Sequence, residues 1–213
     1  MAYRKPLPGG GLPQSSNPNK AGASLASAEA RRQFGDQAEV GASGERHFAQ
    51  ILKQHAFDQT CDIFYSLGIP QGKHFGAKAL RSDVDVAVVN GNSVILIDVK
   101  RWKGSCVYWS LGGLPFRDLT PLQSHGGWKM SANMAQALRR YREALPGVNV
   151  TAMVVFVPTH RGVAPTSVRW LKWPGGVRSF LVPAAIRELR ARVGVERQVP
   201  DARIIGLLNR MQR

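Results

Sequence analysis

The sequence predicts an α/β (α+β) fold with a central mixed β-sheet and helices on both of its sides. Three patterns support this prediction. Apolar residues recur at helical spacing in residues 36–56 and 127–145. Two β-branched runs flank an Asn-Gly-Asn turn at residues 90–92, which is a strong hairpin signal. Residues 150–157 form a nearly continuous apolar run, typical of a strand buried on both faces.

The chain has 213 residues and is expected to contain one domain, residues 36–213, preceded by a tail. Residues 1–35 are rich in Pro and Gly and poor in apolar side chains. Such a segment cannot bury enough surface to offset the entropy of ordering it, so we predict a flexible basic arm. No apolar stretch is long enough to span a membrane.

The first predicted helix, residues 36–56, has an unusual acid on its buried side. Glu45 lies three residues before Phe48, so the two share a face. A buried carboxylate is costly unless a cation meets it. The alternative is a capping-box acid near the helix start. Two glycines weaken the first half of this helix and leave a start nearer Ser43 open.

The remaining elements follow in chain order: a strand at 61–69, the hairpin strands around 90–92, a helix at 127–145, strands at 150–157 and 177–182, and helices at 183–193 and 201–212. The helix at 127–145 also carries a polar stripe at helical spacing, formed by Lys129, Asn133, Gln136 and Arg140.

The charge of the chain points to a polyanionic partner. It has 29 Lys and Arg against 14 Asp and Glu, a formal net charge of +15. Such a positive field favours nucleic acid first and anionic lipid second. Membrane binding would need a basic amphipathic helix with a strongly apolar face, so we expect no membrane partner. The two cysteines form no CxxC pair and cannot make a structural zinc site alone.

The predicted hairpin gathers acids on one face. A turn at residues 91–92 places Asp85 directly opposite Asp98. It also places Asp83 opposite Lys100. A turn at 90–91 would instead place Asp83 opposite Asp98, and the same residues would still share a face. Opposed side chains have Cβ atoms ~4.5–5.5 Å apart, where like charges are destabilising.

A hard divalent ion would relieve this crowding, because Mg²⁺ takes oxygen ligands and is commonly held by one or two carboxylates. It would also serve phosphodiester cleavage by activating water and polarising the phosphoryl group. Lys100 projects from the same face as Asp98 and can orient water or offset developing charge. The alternative is a polar sheet edge with ordinary salt bridges.

These residues resemble the nuclease-related domain (NERD) family, within the PD-(D/E)xK nuclease-like superfamily. The resemblance covers about residues 41–160. It is carried by Gly44-Glu45, the segment 82–89 (Ser-Asp-Val-Asp-Val-Ala-Val-Val), the segment 95–100 (Ile-Leu-Ile-Asp-Val-Lys), Gly104 and Asn133-x-x-Gln136. It implies a restriction-endonuclease-like core.

The resemblance also implies roles for single residues. Asp85 and Asp98 would be metal ligands, with the Val99 carbonyl as a third. Lys100 would be the catalytic lysine, Glu45 the helical acid that completes the site, and Gln136 an auxiliary residue. Asp98 stands where the family more usually has the longer Glu, which shortens the reach to the metal. Asp83 is a rival for the role given to Asp85.

Basic and aromatic residues near the motif are candidates for nucleic-acid binding. Arg101, Trp102 and Lys103 follow the motif lysine directly, and Lys129 and Arg140 lie on the second helix. A second such cluster spans residues 169–173. Interleaved cations and aromatic rings suit phosphate contact and base stacking, whereas structural packing is the alternative for the tryptophans.

We therefore expect a cytoplasmic hydrolase of a bacterium, phage or mobile element. It would use Mg²⁺ or Mn²⁺ to cleave phosphodiester bonds of DNA, with DNA favoured over RNA. The alternative is a non-catalytic nucleic-acid-binding module on the same fold, and a third hypothesis is a basic scaffold protein. The sequence leaves the oligomeric state open, a dimer included.

Overall fold

A computed structural model describes Ala21 and residues 36–70, 84–122, 130–159 and 161–212. The predicted arm lies outside these residues except for Ala21, which is buried against the protein core. No helix within the described ranges is long and apolar enough to cross a membrane.

The helices are α1 (Asp36–Gln54), α2 (Phe57–Thr60), α3 (Asn133–Ala144), α4 (Val182–Val193) and α5 (Ala202–Met211), with a 3-10 turn at Pro174–Gly176. The strands are β1 (Asp62–Leu67), β2 (Val84–Asn90), β3 (Ser93–Lys100), β4 (Val107–Leu111), β5 (Leu114–Arg117), β6 (Thr120–Pro121), β7 (Asn149–Phe156), β8 (Ser167–Trp170) and β9 (Arg178–Leu181).

The main sheet is mixed, as predicted. Its strand order is β1-β2-β3-β7-β9, in which β1, β2 and β3 are antiparallel neighbours and β3, β7 and β9 are parallel. The apolar run at 150–157 forms β7, an interior strand, which confirms its predicted position. The parallel step from β3 to β7 requires a long crossover, and α3 lies within it.

Helices cover both faces of this sheet. On one face, α3 and α5 contribute to a core with residues such as Phe64 and Leu96. On the other, α1 and α4 pack over Ile63, Ile95 and Ile97. Because neighbouring strand residues point to opposite faces, β3 supplies alternate side chains to the two cores. The α+β architecture with helices on both sides is therefore confirmed.

A second, smaller sheet was not predicted. Its order is β6-β5-β4-β8, and its inner face adds Tyr108 and Val168 to the core shared with α3. Its strands have two to five residues, and two of them, β5 and β6, contain proline. Strands this short give too few residues for an alternating pattern to stand out.

One predicted helix start is confirmed and one is wrong. Helix α1 begins at Asp36, as predicted, and the alternative start near Ser43 is not observed. Helix α3 begins at Asn133, and residues 130–132 before it are not helical. The rest of its predicted first part, including Lys129, lies outside the described residues.

The tip of the β2–β3 hairpin is held by a segment from the far end of the chain. The amide nitrogen of Asn90, a buried residue, donates to the carbonyls of Val193 and Glu196 at 2.6 and 2.8 Å. Its amide oxygen accepts from the Gln198 N–H at 2.7 Å. Gly91 then donates its N–H to the Gln198 carbonyl at 3.1 Å. Four hydrogen bonds thus join the hairpin tip to residues 193–198, from the last residue of α4 onward.

Candidate active site

The register of the β2–β3 hairpin sets the site. Val86 pairs with Ile97 and Asn90 pairs with Ser93, so the turn is at residues 91–92, as one of the two predicted registers required. The pairing ends there, and Asp85 and Asp98 are the next residues on the two strands, close enough for the charge of one to act on the other. Asp83, the alternative to Asp85 as a metal ligand, lies outside the described residues.

At the point where β2 and β3 separate, the Asp85 carboxylate accepts a hydrogen bond in place of a backbone carbonyl. Its Oδ2 atom accepts a hydrogen bond from the Val99 N–H at 2.6 Å. The bond between a carboxylate and a backbone N–H is charge-assisted and fixes the side chain in the opening between β2 and β3. The sequence did not predict this contact, because a hydrophobic pattern does not show where the pairing of two strands ends.

Lys100 and Asp98 form an ion pair at the same end of β3. Lys100 Nζ lies 2.9 Å from Asp98 Oδ1, and the two side chains are 32% and 14% exposed. They stand two residues apart, so both project from one face of the strand. The pair is accessible enough for a ligand to reach and shielded enough for its charges to act strongly.

The acids crowd one another. Burial raises the pKa of Asp85, and the nearby carboxylates of Glu45 and Asp98 raise it further. Lys100 and the Val99 N–H act in the opposite direction, but the pKa of Asp85 stays well above its ordinary value. Without a further cation, negative charge at Asp85 is therefore disfavoured.

The same acids keep Lys100 protonated. Burial alone would lower the pKa of Lys100, but Asp98, Asp85 and Glu45 outweigh it and raise that pKa above its usual value. Lys100 is consequently an ammonium group at neutral pH. It can donate hydrogen bonds and offset negative charge, but it cannot serve as a general base.

Helix α1 brings Glu45 into electrostatic contact with this cluster, and the side chain is 1% exposed. The preceding residue permits the approach. A Cβ added to Gly44 would lie 3.2 Å from the Arg101 Cβ and 3.5 Å from Val157 Cγ2. Gly44 therefore serves close packing of α1 on the sheet end, and the helix continues through it despite its low propensity. The predicted burial of Glu45 is confirmed.

Arg101 stabilises the packing of α1 on the end of the sheet. Its Nε donates to the Pro158 carbonyl at 2.9 Å, and its Nη1 donates to the Ser43 hydroxyl. Burial lowers the pKa of Arg101. The side chain thus ties α1 to the ends of β3 and β7, a positioning role that sequence reasoning missed.

Gln136 lies on α3, half-buried, with an unsatisfied polar atom. Its Oε1 is buried and has no hydrogen-bond partner among the described residues. Buried acceptors are normally paired, so an orphan of this kind marks a position where a ligand or water is expected. This agrees with an auxiliary site role, which stays a prediction.

The donor set suits a divalent cation bound partly by the chain. Within the described ranges, no group of three or more His, Cys, Asp or Glu side chains is placed to hold a metal ion. Asp85 and Asp98 nevertheless offer two hard carboxylate donors where charge crowding favours a cation. Two carboxylates completed by waters and substrate phosphate are a common arrangement for Mg²⁺.

The predicted nucleic-acid-binding residues Arg101, Lys103 and Arg140 have different surroundings. Lys103 is exposed and, with Arg101, lines a cleft of about 500 Å³ between α1 and the segment after β7. Arg161 lines the same cleft and was not predicted. Arg140 is only 12% exposed and pairs with Glu143 at 2.8 Å, which does not favour phosphate contact.

Trp102 is a packing residue in this structure. Its ring centroid lies 5.0 Å from those of both Tyr108 and Phe156 and 6.1 Å from that of Trp173. Trp173 is itself buried and donates its indole N–H to the Ser179 hydroxyl at 2.8 Å. These contacts favour the structural explanation for Trp102 and Trp173 over base stacking.

Comparison with known proteins places the chain in a family. A sequence model of the family described as nuclease-related domain matches residues 40–157, more than half of the chain. The matched segment runs from the first half of α1 to the end of β7 and contains every residue of the acidic cluster. No curated protein and no solved structure matches the chain.

Proposed function

The chain belongs to the nuclease-related domain family, and on this premise we propose that it is a metal-dependent nuclease that hydrolyses phosphodiester bonds of DNA. The observation that supports this most is the meeting of Asp85, Asp98 and Lys100 at the open end of the hairpin, with Glu45 beside them. Acids concentrated around one lysine are a costly arrangement for a purely structural sheet edge.

Asp85 and Asp98 would hold Mg²⁺ or Mn²⁺, with the Val99 carbonyl as a possible third protein ligand. Such an ion, when bound, supplies Lewis-acid activation of water and charge stabilisation at the phosphate. The Val99 N–H keeps Asp85 in place by its 2.6 Å hydrogen bond. The raised pKa of Asp85 agrees with a carboxylate built to be neutralised by a cation.

Lys100 would assist the attacking water. As an ammonium group it donates hydrogen bonds and offsets the negative charge that develops on the phosphate. Its 2.9 Å contact with Asp98 fixes its orientation. Glu45 completes the charge balance, and the free Oε1 of Gln136 would accept a hydrogen bond from water or substrate.

The cleft lined by Arg101, Lys103 and Arg161 would receive the DNA backbone next to this site. Phosphate contacts position a nucleic acid without reading its sequence. Together with the net charge of +15, the cleft supports a polyanionic substrate and strong salt dependence of binding.

Cleavage of supercoiled plasmid DNA in Mg²⁺, Mn²⁺ or EDTA tests the proposal. We expect metal-dependent nicking that Lys100→Ala abolishes while DNA affinity in EDTA is kept. Lys53→Ala is the matched control, because Lys53 is an exposed lysine in the last turn of α1. Unchanged cleavage by Lys100→Ala would overturn the assignment of this site.

The non-catalytic module remains the second candidate, and one observation favours it. The described residues hold no ready-made three-ligand group, and one of the two metal-ligand candidates, Asp98, is already paired with Lys100. Salt-sensitive DNA binding without cleavage in any divalent metal would select this alternative.

A further inference from the structure

Aromatic side chains form a row across the outer face of the second sheet. Phe116 of β5 pairs with Trp109 of β4, and Trp109 pairs with Trp170 of β8. Directly paired residues project from the same face of a sheet, so the three rings share one surface. Pro121 of β6 pairs with Phe116 and extends the row to all four strands. We call these four residues the aromatic row.

Two of the rings are held in place by contacts, and the third is exposed. Trp109 and Phe116 stack with centroids 4.3 Å apart and ring planes at 13°. The Trp109 indole N–H donates to the Asp118 carbonyl at 2.6 Å, which fixes the ring. Trp170 at the other end is 60% exposed. A rigid exposed ring offers stacking area at little entropic cost.

This face has no cover in the described part of the chain. The opposite face of the sheet is occupied by the core, where Tyr108 and Val168 are buried. Around the aromatic row, Val107, Leu111 and Leu114 are exposed as well. An exposed apolar surface of this extent commonly marks a binding site.

Cations flank the open end of the row. The Arg169 guanidinium lies 5.2 Å from the centre of the Trp170 ring. Arg169, Lys172 and Arg178 line a cavity of about 850 Å³ between β8 and β9. Arg178 pairs with Glu188 at 4.0 Å. Arg169 and Lys172 form no ion pair with any residue in the described ranges.

We propose that the aromatic row binds single-stranded nucleic acid, with bases stacked on Trp170 and Phe116 and phosphates beside Arg169 and Lys172. Aromatic platforms next to positive grooves bind single strands with little sequence preference, because every base has a stacking face. The adjoining cations favour a polyanion over an apolar protein partner. This inference rests on the proposed nucleic-acid partner but does not require that the chain cleave it.

Binding of a fluorescently labelled oligothymidine, measured by anisotropy in EDTA, tests the proposal. We expect Trp170→Ala to weaken binding about tenfold, which is the size of one lost stacking contact. Trp170→Phe should keep most of the affinity, and Leu119→Ala, at an exposed apolar position outside the row, should change nothing. Duplex of the same length should be much less sensitive to Trp170→Ala.

Charge is tested separately. Lys172→Ala should weaken oligothymidine binding and reduce the slope of log affinity against log salt by about one. Unchanged oligothymidine affinity in both Trp170→Ala and Phe116→Ala would overturn the proposal. Equal losses of affinity for single-stranded and duplex DNA in Trp170→Ala would also overturn it. A change in oligomeric state of Trp170→Ala by sedimentation, with unchanged affinity, would assign the face to a protein contact instead.

Separate variants test the nuclease proposal and the single-strand-binding proposal. Lys100→Ala should lose cleavage and keep oligothymidine binding, because Lys100 lies on β3 of the main sheet. Trp170→Ala should lose single-strand affinity whether or not the protein cleaves DNA. Loss of cleavage in Lys100→Ala, together with unchanged oligothymidine affinity in both Trp170→Ala and Phe116→Ala, would reject only the proposal for the aromatic row.

Discussion

Asp85→Asn is expected to stabilise the metal-free protein at neutral pH. The variant keeps an oxygen that can accept from the Val99 N–H and removes a negative charge crowded by Glu45 and Asp98. One like-charge pair ~5 Å apart costs about 3 kcal/mol at an effective dielectric constant near 20. Lost attraction to Lys100 offsets part of this gain. We therefore expect a net increase of about 1–2 kcal/mol in the free energy of unfolding.

The pH dependence follows from the sign of the pKa shift. The pKa of Asp85 is higher in the folded protein than in the unfolded chain. Between those two values the folded state binds more protons, so stability falls as pH rises and the penalty is complete above the folded pKa. The advantage of Asp85→Asn should therefore grow as pH rises above the ordinary carboxyl range, be complete above the folded-state pKa of Asp85, and vanish at low pH.

Urea unfolding in EDTA measures this effect. A gain of 1–2 kcal/mol corresponds to an increase of roughly 0.5 M in the midpoint for a slope of about 2–3 kcal/mol/M. Asp98→Asn is the matched variant and should gain less, because it also loses the 2.9 Å ion pair with Lys100. A lower midpoint for Asp85→Asn at neutral pH, or an equal gain at low pH, would refute the crowding argument.

Three further outcomes are expected. Mg²⁺ or Mn²⁺ should raise the melting temperature of the wild type in a thermal-shift assay, because a ligand that binds the folded state stabilises that state. The increase should be much smaller for Asp98→Asn. Equal increases in the two proteins would place the metal at another site. Gly44→Ala should lose cleavage activity without any gain in the free energy of unfolding, because the added Cβ would press on Arg101. Its control is Gly206→Ala on α5, where the added Cβ makes only ordinary contacts. Urea unfolding should show that Gly206→Ala raises the free energy of unfolding by about 0.5–1 kcal/mol. Trp102→Ala should cost about 3 kcal/mol in the same assay, and a cost near zero would restore its stacking role.

The hairpin was predictable because several local signals agreed. The Asn-Gly-Asn turn and the β-branched runs on either side of it predicted the hairpin but left two registers open. The structure has the register with its turn at residues 91–92, from which Asp85 and Asp98 were expected to be neighbours across the two strands. The buried position of Glu45 followed from helical spacing relative to Phe48.

Contacts between distant segments were not predictable. The role of Arg101 depends on Ser43 and the Pro158 carbonyl, which lie 58 and 57 residues away in sequence. The full length of α1 depends on the packing of Gly44, which outweighs helix propensity. Sequence periodicity reports which face is buried, but it does not report which partner covers it.

The four hydrogen bonds between the hairpin tip and residues 193–198 bear on how far the family-matched segment can stand alone. Residues 40–157 contain both hairpin strands but lack β9, α4, α5 and the carbonyls that hold Asn90. A chain cut after residue 157 would expose β7 as a new sheet edge and release the turn. The family-matched segment thus depends on the C-terminal part of the chain for its rigidity, and it would need other contacts at the hairpin tip if it were transferred to another protein.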